Sequence, residues 1–403
     1  MDPQRDSSST RRLRLGVAGL GRAFTLMLPT LVAHPRVQLV AAADPRAEAR
    51  ERFAREFGAR THESVASLCA DETVDAIYVA TPHQHHAEHA IAAATRGKHV
   101  LVEKPMALSL QEAGAMIATA KDAGVHLVVG HSHSFDAPVR RAREIVASGE
   151  VGRVRMITAL NFTDFLYRPR RPEELDTARG GGVLFSQAAH QVDIVRMLAG
   201  GLATSVRSVS GAWDPARATE GAYSALLMFA GGAFASLAYS GYGHFDSDEF
   251  CGWVSELGRP KDAQAYGEAR RALGATRGAS SEAAAKNDRN YGGAAYAPPP
   301  EAPWHEHFGM LIVSCERADL RPTPQGLTTY GDARRDFEPF AKPAVPRSEV
   351  IDELCDAVLL GERPAHDGEW GRATLEVCVA MLHSSRQGAE IALTLQVPYD
   401  NGV

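Results

Sequence analysis

The feature that most constrains the fold is a regular alternation of short apolar runs and amphipathic segments over the first third of the chain. Apolar runs of this kind predict buried strands, and the longer segments between them predict helices. The predicted strands cover residues 13–18, 37–43, 76–80, 99–102 and 125–129. Strands that alternate with helices pair in parallel through right-handed crossovers, so this third predicts a doubly wound α/β sheet.

A glycine pair lies between the first predicted strand and the first predicted helix. Gly19 permits a tight turn, and Gly21 lets the backbone approach a pyrophosphate at the helix N-terminus. The third glycine of the dinucleotide fingerprint is absent. Phe24 stands in its place, so this helix must pack differently on the sheet. The candidate cofactor-binding residues here are Gly19, Leu20, Gly21, Arg22 and Ala23.

Asp44 ends the second predicted strand, where a carboxylate can bond both ribose hydroxyls of a dinucleotide. Its alternative role is turn chemistry with Pro45. Asp44 favours NAD over NADP, although Arg46 is suited to a 2′-phosphate. Together with the alternation and the glycine pair, this acid predicts a Rossmann-type NAD-binding domain over residues 13–135.

Two further strand ends carry polar residues. The strand at 99–102 runs into Glu103-Lys104-Pro105, where the proline stops the ladder. Ligands gather at such ends in an open α/β sheet, and a lysine there can act as an acid or base. The alternative is a solvated charge pair that caps a strand. The candidate cofactor-binding residues at these ends are Thr81, Pro82, His83, His86, Glu103 and Lys104.

Residues 85–89 match the HxxEH pattern of zinc proteases. That motif needs a buried helix face and further ligands, whereas here it opens a crossover helix beside a cofactor-binding edge. We therefore expect no metal site.

Composition narrows the classes of partner and the cellular location to be expected. The 403 residues are 45% hydrophobic and 23% charged, with a formal net charge of −6, so neither nucleic acid nor membrane is an expected partner. Five scattered cysteines and the lack of a signal-peptide pattern favour a reducing cytoplasm. Residues 1–12 are expected to form a disordered tail.

Residues 136–403 predict a second, α+β domain with a large, open and mostly antiparallel sheet. A helix over residues 183–198 carries His190. Residues 167–172 form a proline-stiffened arginine loop, which is either a solvated basic loop or an anion site. Residues 246–308 are interpreted as an insertion with one surface helix and a mobile loop, acting as a lid, as a subunit contact or as surface decoration.

These pieces resemble the glucose-fructose oxidoreductase, inositol dehydrogenase and rhizopine-catabolism oxidoreductase family. The resemblance covers nearly the whole chain except about residues 246–308. It rests on residues 19–22, Thr81-Pro82 with His86, residues 97–100 with Glu103-Lys104-Pro105, residues 149–152 and 180–182, His190 and Asp193.

The resemblance implies that Lys104 is catalytic and that His190 is its partner. The family's aspartate four residues before that histidine is Ser186 here, so Asp193, one helical turn after His190, becomes the candidate to orient the imidazole. The family also implies a homodimer or homotetramer formed through the open sheet. The candidate substrate-binding residues are His131, His133, Arg168, Arg170, Arg171, Ser186 and His190.

Residues 131–135, 167–172 and 185–190 are similar to one branch of the family, the cis-dihydrodiol dehydrogenases of aromatic-carboxylate breakdown. This implies an anionic small-molecule substrate of the phthalate type, oxidised by hydride transfer to NAD. The alternatives are a polyol, inositol or sugar-acid dehydrogenase, an NAD-dependent glycosidase and a non-catalytic NAD-binding regulator.

Overall fold

The computed structural model describes residues 11–130, 132–275 and 279–400. The first ten residues of the expected tail and the candidate substrate residue His131 lie outside these ranges. Across the described ranges, no helix combines the length and the apolar character needed to cross a membrane.

The first sheet confirms the predicted Rossmann architecture. Its strands are all parallel, in the order β3-β2-β1-β4-β5-β6. They are β1 (Leu13–Ala18), β2 (Val37–Ala43), β3 (Arg60–His62), β4 (Ala76–Val79), β5 (His99–Val102) and β6 (Leu127–Val129). Because β1 lies between β2 and β4, the glycine turn sits where the strand order reverses, the usual ligand site of such sheets.

Helices cover both faces of this sheet. One of them begins with a reciprocal capping box. The Ser109 hydroxyl accepts from the Glu112 amide, and the Glu112 carboxylate accepts from the Ser109 amide. The helices are α1 (Arg22–Ala33), α2 (Ala47–Phe57), α3 (Val65–Cys69), α4 (His86–Thr95) and α5 (Leu110–Asp122).

The second sheet is mostly antiparallel, as predicted, with one parallel pair between β7 and β10. Two of its strands, β12 and β14, were missed because charged residues interrupt the apolar alternation. The strands are β7 (Val154–Phe162), β8 (Ala203–Gly211), β9 (Ala222–Phe229), β10 (Phe234–Ser240), β11 (Met310–Cys315), β12 (Ala318–Thr323), β13 (Gly326–Gly331), β14 (Arg335–Pro339) and β15 (Ile391–Ala392).

The last strand is shorter than the predicted 391–397. The backbone amides of Thr394 and Leu395 donate to the Glu376 carboxylate at 2.7 and 2.9 Å, which takes them out of the ladder.

One face of the second sheet is covered by helices, and the other exposes apolar side chains such as Met156, Val209 and Leu226. The remaining helices are α6 (Ala137–Ser148), α7 (Gly182–Ser186), α8 (Ala188–Ala199), α9 (Glu268–Ala275), α10 (Ala279–Asp288), α11 (Ser348–Cys355) and α12 (Gly368–Gln387). The predicted helix over 183–198 is thus two helices, interrupted at Gln187.

The C-terminal part of the chain returns to the first sheet. Val350, Ile351 and Leu354 of α11 are buried in the same core as β1 and α1. A domain boundary near residue 135 therefore stays a prediction, because the later chain completes the first core.

The insertion at 246–308 docks on the first domain. It contains two α-helices, α9 and α10, in place of the one expected, and a 3-10 turn at Ser247–Cys251. Its Tyr291 is fully buried, with its ring 5.2 Å from that of Phe24, and its hydroxyl donates to Glu56 at 2.6 Å. Phe24, which replaces the third glycine of the fingerprint, is thus half of this contact.

We expect Tyr291→Ala to lower the free energy of unfolding by ~3–5 kcal/mol, because it leaves a large aromatic cavity and removes a hydrogen bond to Glu56. Chemical denaturation measures this change. The matched control is Tyr266→Ala in the same insertion, since that ring is 62% exposed. Equal effects of the two substitutions would show that Tyr291 does not anchor the insertion.

Candidate active site

The glycine turn is held tightly against the neighbouring strand end. Gly19 has a φ of +93°, and a Cβ added there would lie 2.9 Å from the carbonyl oxygen of Ala80. A side chain at this position would therefore be strained and would push the two strand ends apart. By contrast, an added Cβ at Gly21 meets no atom within 4 Å, so the backbone at the start of α1 is open to a ligand.

A concentration of positive charge surrounds this helix start. Burial lowers the pKa of Arg22 to about 10, and four further guanidinium groups act in the same direction. A site where cations repel one another is suited to an anion. The four neighbours are Arg168, Arg259, Arg289 and Arg347.

Asp44 is buried at the end of β2 and joins two parts of the turn. Its carboxylate accepts from the Leu20 amide at 2.8 Å and from the Arg46 Nε at 3.0 Å. Arg46 also donates to the carbonyl oxygens of Leu20 and Tyr291. The guanidinium is thus engaged by Asp44 and by the insertion, which supports the preference for NAD over NADP.

The residues after β4 form a bridge between strand ends. Both ring nitrogens of His86 lie 2.8 Å from carbonyl oxygens, one of Thr81 and one of Pro105. His83 reaches the carbonyl of Gly180, just before α7, with its Nδ1 at 3.2 Å, and burial lowers its pKa to about 3. We infer that His83 and His86 hold these loops in place through their bonds to backbone carbonyls.

Lys104 crosses from the first sheet to the second domain. Its Nζ donates to the Ser186 carbonyl at 2.8 Å, at the point where α7 gives way to α8. Burial lowers its pKa, and the charge of Arg170 acts in the same direction, whereas Glu103 and Glu256 oppose both. Glu103 itself accepts from the Tyr78 hydroxyl at 2.5 Å and is buried beside the sheet.

His190 lies in a small aromatic cluster on α8. Its ring is 4.8 Å from that of His133 and 4.7 Å from that of Phe308. The Nδ1 of His133 lies 2.7 Å from the Asp136 carboxylate. The structure therefore pairs a carboxylate with the imidazole of His133, whereas the sequence suggested such a pair for His190.

Asp193 does not orient His190. One oxygen of its carboxylate accepts from the Trp370 indole at 2.5 Å and from the Thr374 hydroxyl at 3.2 Å. The other oxygen accepts from the Ser134 hydroxyl. These bonds direct the carboxylate toward α12, so Asp193 ties α8 to the C-terminal helix.

The three arginines of the loop differ in accessibility and in their partners. Arg168 donates to the Asp164 carboxylate at 3.0 Å, and 45% of its side chain stays accessible. Arg170 lies over the Phe165 ring at 3.6 Å and donates to the Phe165 carbonyl at 2.5 Å. The Arg171 guanidinium is 3.8 Å from Glu173.

Among the described residues, one cluster of three side chains is of the kind that can bind a metal ion. Single ligand atoms of His133, Asp136 and Glu306 lie within 4.8 Å of one another. However, His133 is bonded to Asp136, and Glu306 accepts from buried Arg347 at 2.8 Å. The carboxylates of Asp136 and Glu306 are therefore each engaged by a protein side chain.

The sequence reasoning missed several residues of this region. Phe308 and Glu256 lie in the insertion, where the family resemblance stops, and Asp136 was not among the candidate residues. The spacing of His133 and Asp136, three residues apart, was the available signal for their pairing. Only the fold reveals the position of Glu256.

Comparison with known proteins decides the family. The model of the oxidoreductase family with an NAD-binding Rossmann fold matches residues 13–131, and that of the GFO/IDH/MocA C-terminal domain matches residues 139–254. The chain is 48% identical over 377 residues to 1-carboxy-3-chloro-3,4-dihydroxycyclohexa-1,5-diene dehydrogenase of Comamonas testosteroni, which covers 93% of this chain and 95% of that protein. The chain belongs to the GFO/IDH/MocA family.

Solved structures agree with this membership. A crystal structure of a Bordetella bronchiseptica RB50 protein superposes with a TM-score of 0.89 at 44% identity, covering 94% of this chain and all of that one (100%). The WlbA dehydrogenase of Bordetella pertussis, solved with NADH and UDP-GlcNAcA, shares the fold with a TM-score of 0.67 at 23% identity, over 95% of this chain and 99% of that one. As a GFO/IDH/MocA protein, the chain is an NAD-binding oxidoreductase.

The residues at the sheet edge fit this cofactor. The open backbone at Gly21 and the charge of Arg22 suit a pyrophosphate, and Asp44 suits a ribose. Thr81 and Lys104 end the neighbouring strands β4 and β5, and so lie at the same edge.

We expect Asp44→Ala to weaken NADH binding by about 10–100-fold, the usual loss for hydrogen bonds to a charged group. Discrimination against NADPH should shrink, because the variant frees Arg46. Fluorescence titration with both nucleotides measures this. Asp75→Ala is the control, since Asp75 precedes β4 at the opposite edge and bonds Arg14. Unchanged NADH affinity in Asp44→Ala would contradict the assignment.

Proposed function

We propose that this chain oxidises the cis-dihydrodiol of an aromatic carboxylate, of the phthalate type, to the dihydroxy-aromatic product. The observation that carries the proposal is the likeness, over nearly its whole length, to a dehydrogenase named for a carboxylated dihydroxycyclohexadiene. The buried Lys104 and the accessible Arg168 add chemical support. NAD⁺, when bound, takes the hydride from the hydroxyl-bearing carbon.

Lys104 is the best placed group to take the hydroxyl proton. Burial lowers its pKa, so its neutral form is available at lower pH than that of a free lysine. Its bond to the Ser186 carbonyl fixes the amine at the junction of the two domains. His190, packed between His133 and Phe308, provides a second polar group on the adjoining helix.

Arg168 is the candidate for the substrate carboxylate. Of the three arginines in the loop, it has the most accessible side chain, at 45%. Arg170 and Arg171 are less accessible and contact Phe165, Glu173 and Glu174, so Arg168 is preferred over them.

Three further features belong to the same proposal. The apolar face of the second sheet, with Met156 and Leu226, would form a homodimer or homotetramer. A cytoplasmic location fits five free cysteines among the described residues. A role in phthalate-type catabolism follows from the substrate class.

The proposal is tested by NADH formation against a panel of arene-carboxylate cis-dihydrodiols, polyols and inositols. We expect turnover of the carboxylated dihydrodiols. Turnover confined to polyols or inositols would replace the proposal with a sugar-type dehydrogenase.

We expect Lys104→Met to lower kcat by about 10²–10⁴-fold, the usual contribution of a general base, while NADH binding persists. In the wild type, the amine must be neutral to accept a proton, so kcat/KM should rise with pH through a Lys104 pKa that lies below the ordinary lysine value. The exposed Lys121→Met is the control. Substantial turnover by Lys104→Met would eliminate this role.

We expect Arg168→Met to raise KM for a carboxylated dihydrodiol by about 10–100-fold, since a charge-assisted bond is lost. The analogue without a carboxylate should be affected less than about threefold. Arg171→Met serves as the matched control. If only Arg171→Met raised KM, the anion site would have to be moved along the loop.

A further inference from the structure

Glu256 places a carboxylate of the insertion in the candidate active site. Its Oε1 accepts from the Asn161 amide at 2.9 Å, and its Oε2 lies 3.9 Å from the Arg168 guanidinium. Only 20% of its side chain is accessible. Its backbone carbonyl accepts from the His307 amide at 3.4 Å, and the next residue, Phe308, packs on His190.

This carboxylate interacts electrostatically with Lys104, where it opposes the lowering of the pKa by burial. It also interacts with the buried Tyr239 on β10. Burial alone would raise the pKa of Glu256, but Arg168 and Asn161 hold it below the ordinary value. Glu256 therefore stays ionised and acts as a lasting hydrogen-bond acceptor, and it is a weak base.

The same region lacks the acid that the family carries four residues before His190. Ser186 stands there, and its hydroxyl donates to the Gly182 carbonyl one turn earlier in α7. Lys104 meets the Ser186 carbonyl and not its side chain. A carboxylate does lie beside Arg168, on a different segment of the chain.

We propose that Glu256 accepts a hydrogen bond from the hydroxyl of the diol that is not oxidised, and thereby replaces the acid missing at position 186. This assignment rests on the proposed function and identifies the residue that selects a vicinal diol. A carboxylate can be satisfied only by donors, so a hydroxyl fits and a hydrogen or ether does not.

The assignment separates the two hydroxyls. The proton of the oxidised hydroxyl goes to Lys104, and the hydride goes to the nicotinamide, which leaves a ketone on that carbon. Glu256 gains no proton and forms no bond in this step. Arg168 lies between Glu256 and Asp164, and its accessible part remains available to the substrate carboxylate.

The test compares two substrates on three proteins: the wild type, Glu256→Gln and Glu249→Gln. Glu249 is an exposed glutamate of the same segment, so its variant controls for charge. The substrates are a carboxylated cis-diol and the mono-alcohol in which hydrogen replaces the second hydroxyl. Initial rates of NADH formation give kcat/KM, and quenching of bound NADH gives the affinity of the diol for the enzyme–NADH complex.

We expect Glu256→Gln to lower kcat/KM for the diol by about 10–100-fold and to weaken diol binding to the NADH complex by a similar factor. Activity on the mono-alcohol should change by less than about threefold, which also shows that the variant is folded. Glu249→Gln should match the wild type on both substrates.

Two different results would overturn the assignment. Equal losses on the diol and the mono-alcohol, or no loss on either, would show that Glu256 does not contact the second hydroxyl, and the proposed function would stand. No NADH from any diol with the wild-type enzyme would overturn the proposed function itself, and the assignment would fall with it.

Discussion

The hydrogen bond from Lys104 to the Ser186 carbonyl joins the two halves of the molecule at the point where chemistry is expected. The lysine ends β5 of the parallel sheet, and the carbonyl lies where the helix before His190 is interrupted. A continuous helix would engage that carbonyl internally. The interruption at Gln187 leaves it for the ammonium group, so the position of the amine and the shape of the helix depend on each other.

The surroundings of this bond come from distant parts of the chain. The insertion contributes Phe308 beside His190 and Glu256 beside Arg168, and its Tyr291 fixes it to the first sheet through Phe24. A segment that departs from the family pattern is therefore built into the site. Such an arrangement lets members of one fold accept different substrates, since the scaffold stays constant while an added segment supplies the specificity groups.

Most of the fold was predicted from residue patterns, and each error in the prediction has a local cause. The alternation of apolar runs located the parallel sheet because buried strands are apolar along their whole length. Strands β12 and β14 were missed because charged residues interrupt their apolar alternation, and β15 was predicted too long because Glu376 accepts from the following amides. Asp193 was misjudged because helical spacing shows which residues are neighbours on α8 but not which element packs against them.

The sequence by itself determined the Rossmann sheet and the glycine turn, and it placed Asp44 and Lys104 at strand ends. These features are local: each needs a backbone conformation or a strand end that a few adjacent residues specify. Only the tertiary structure decided that Asp193 bonds Trp370 of α12 and that Glu256 stands beside Arg168. Those relations join residues tens of positions apart, and the packing that brings them together depends on the whole core and cannot be read from spacing.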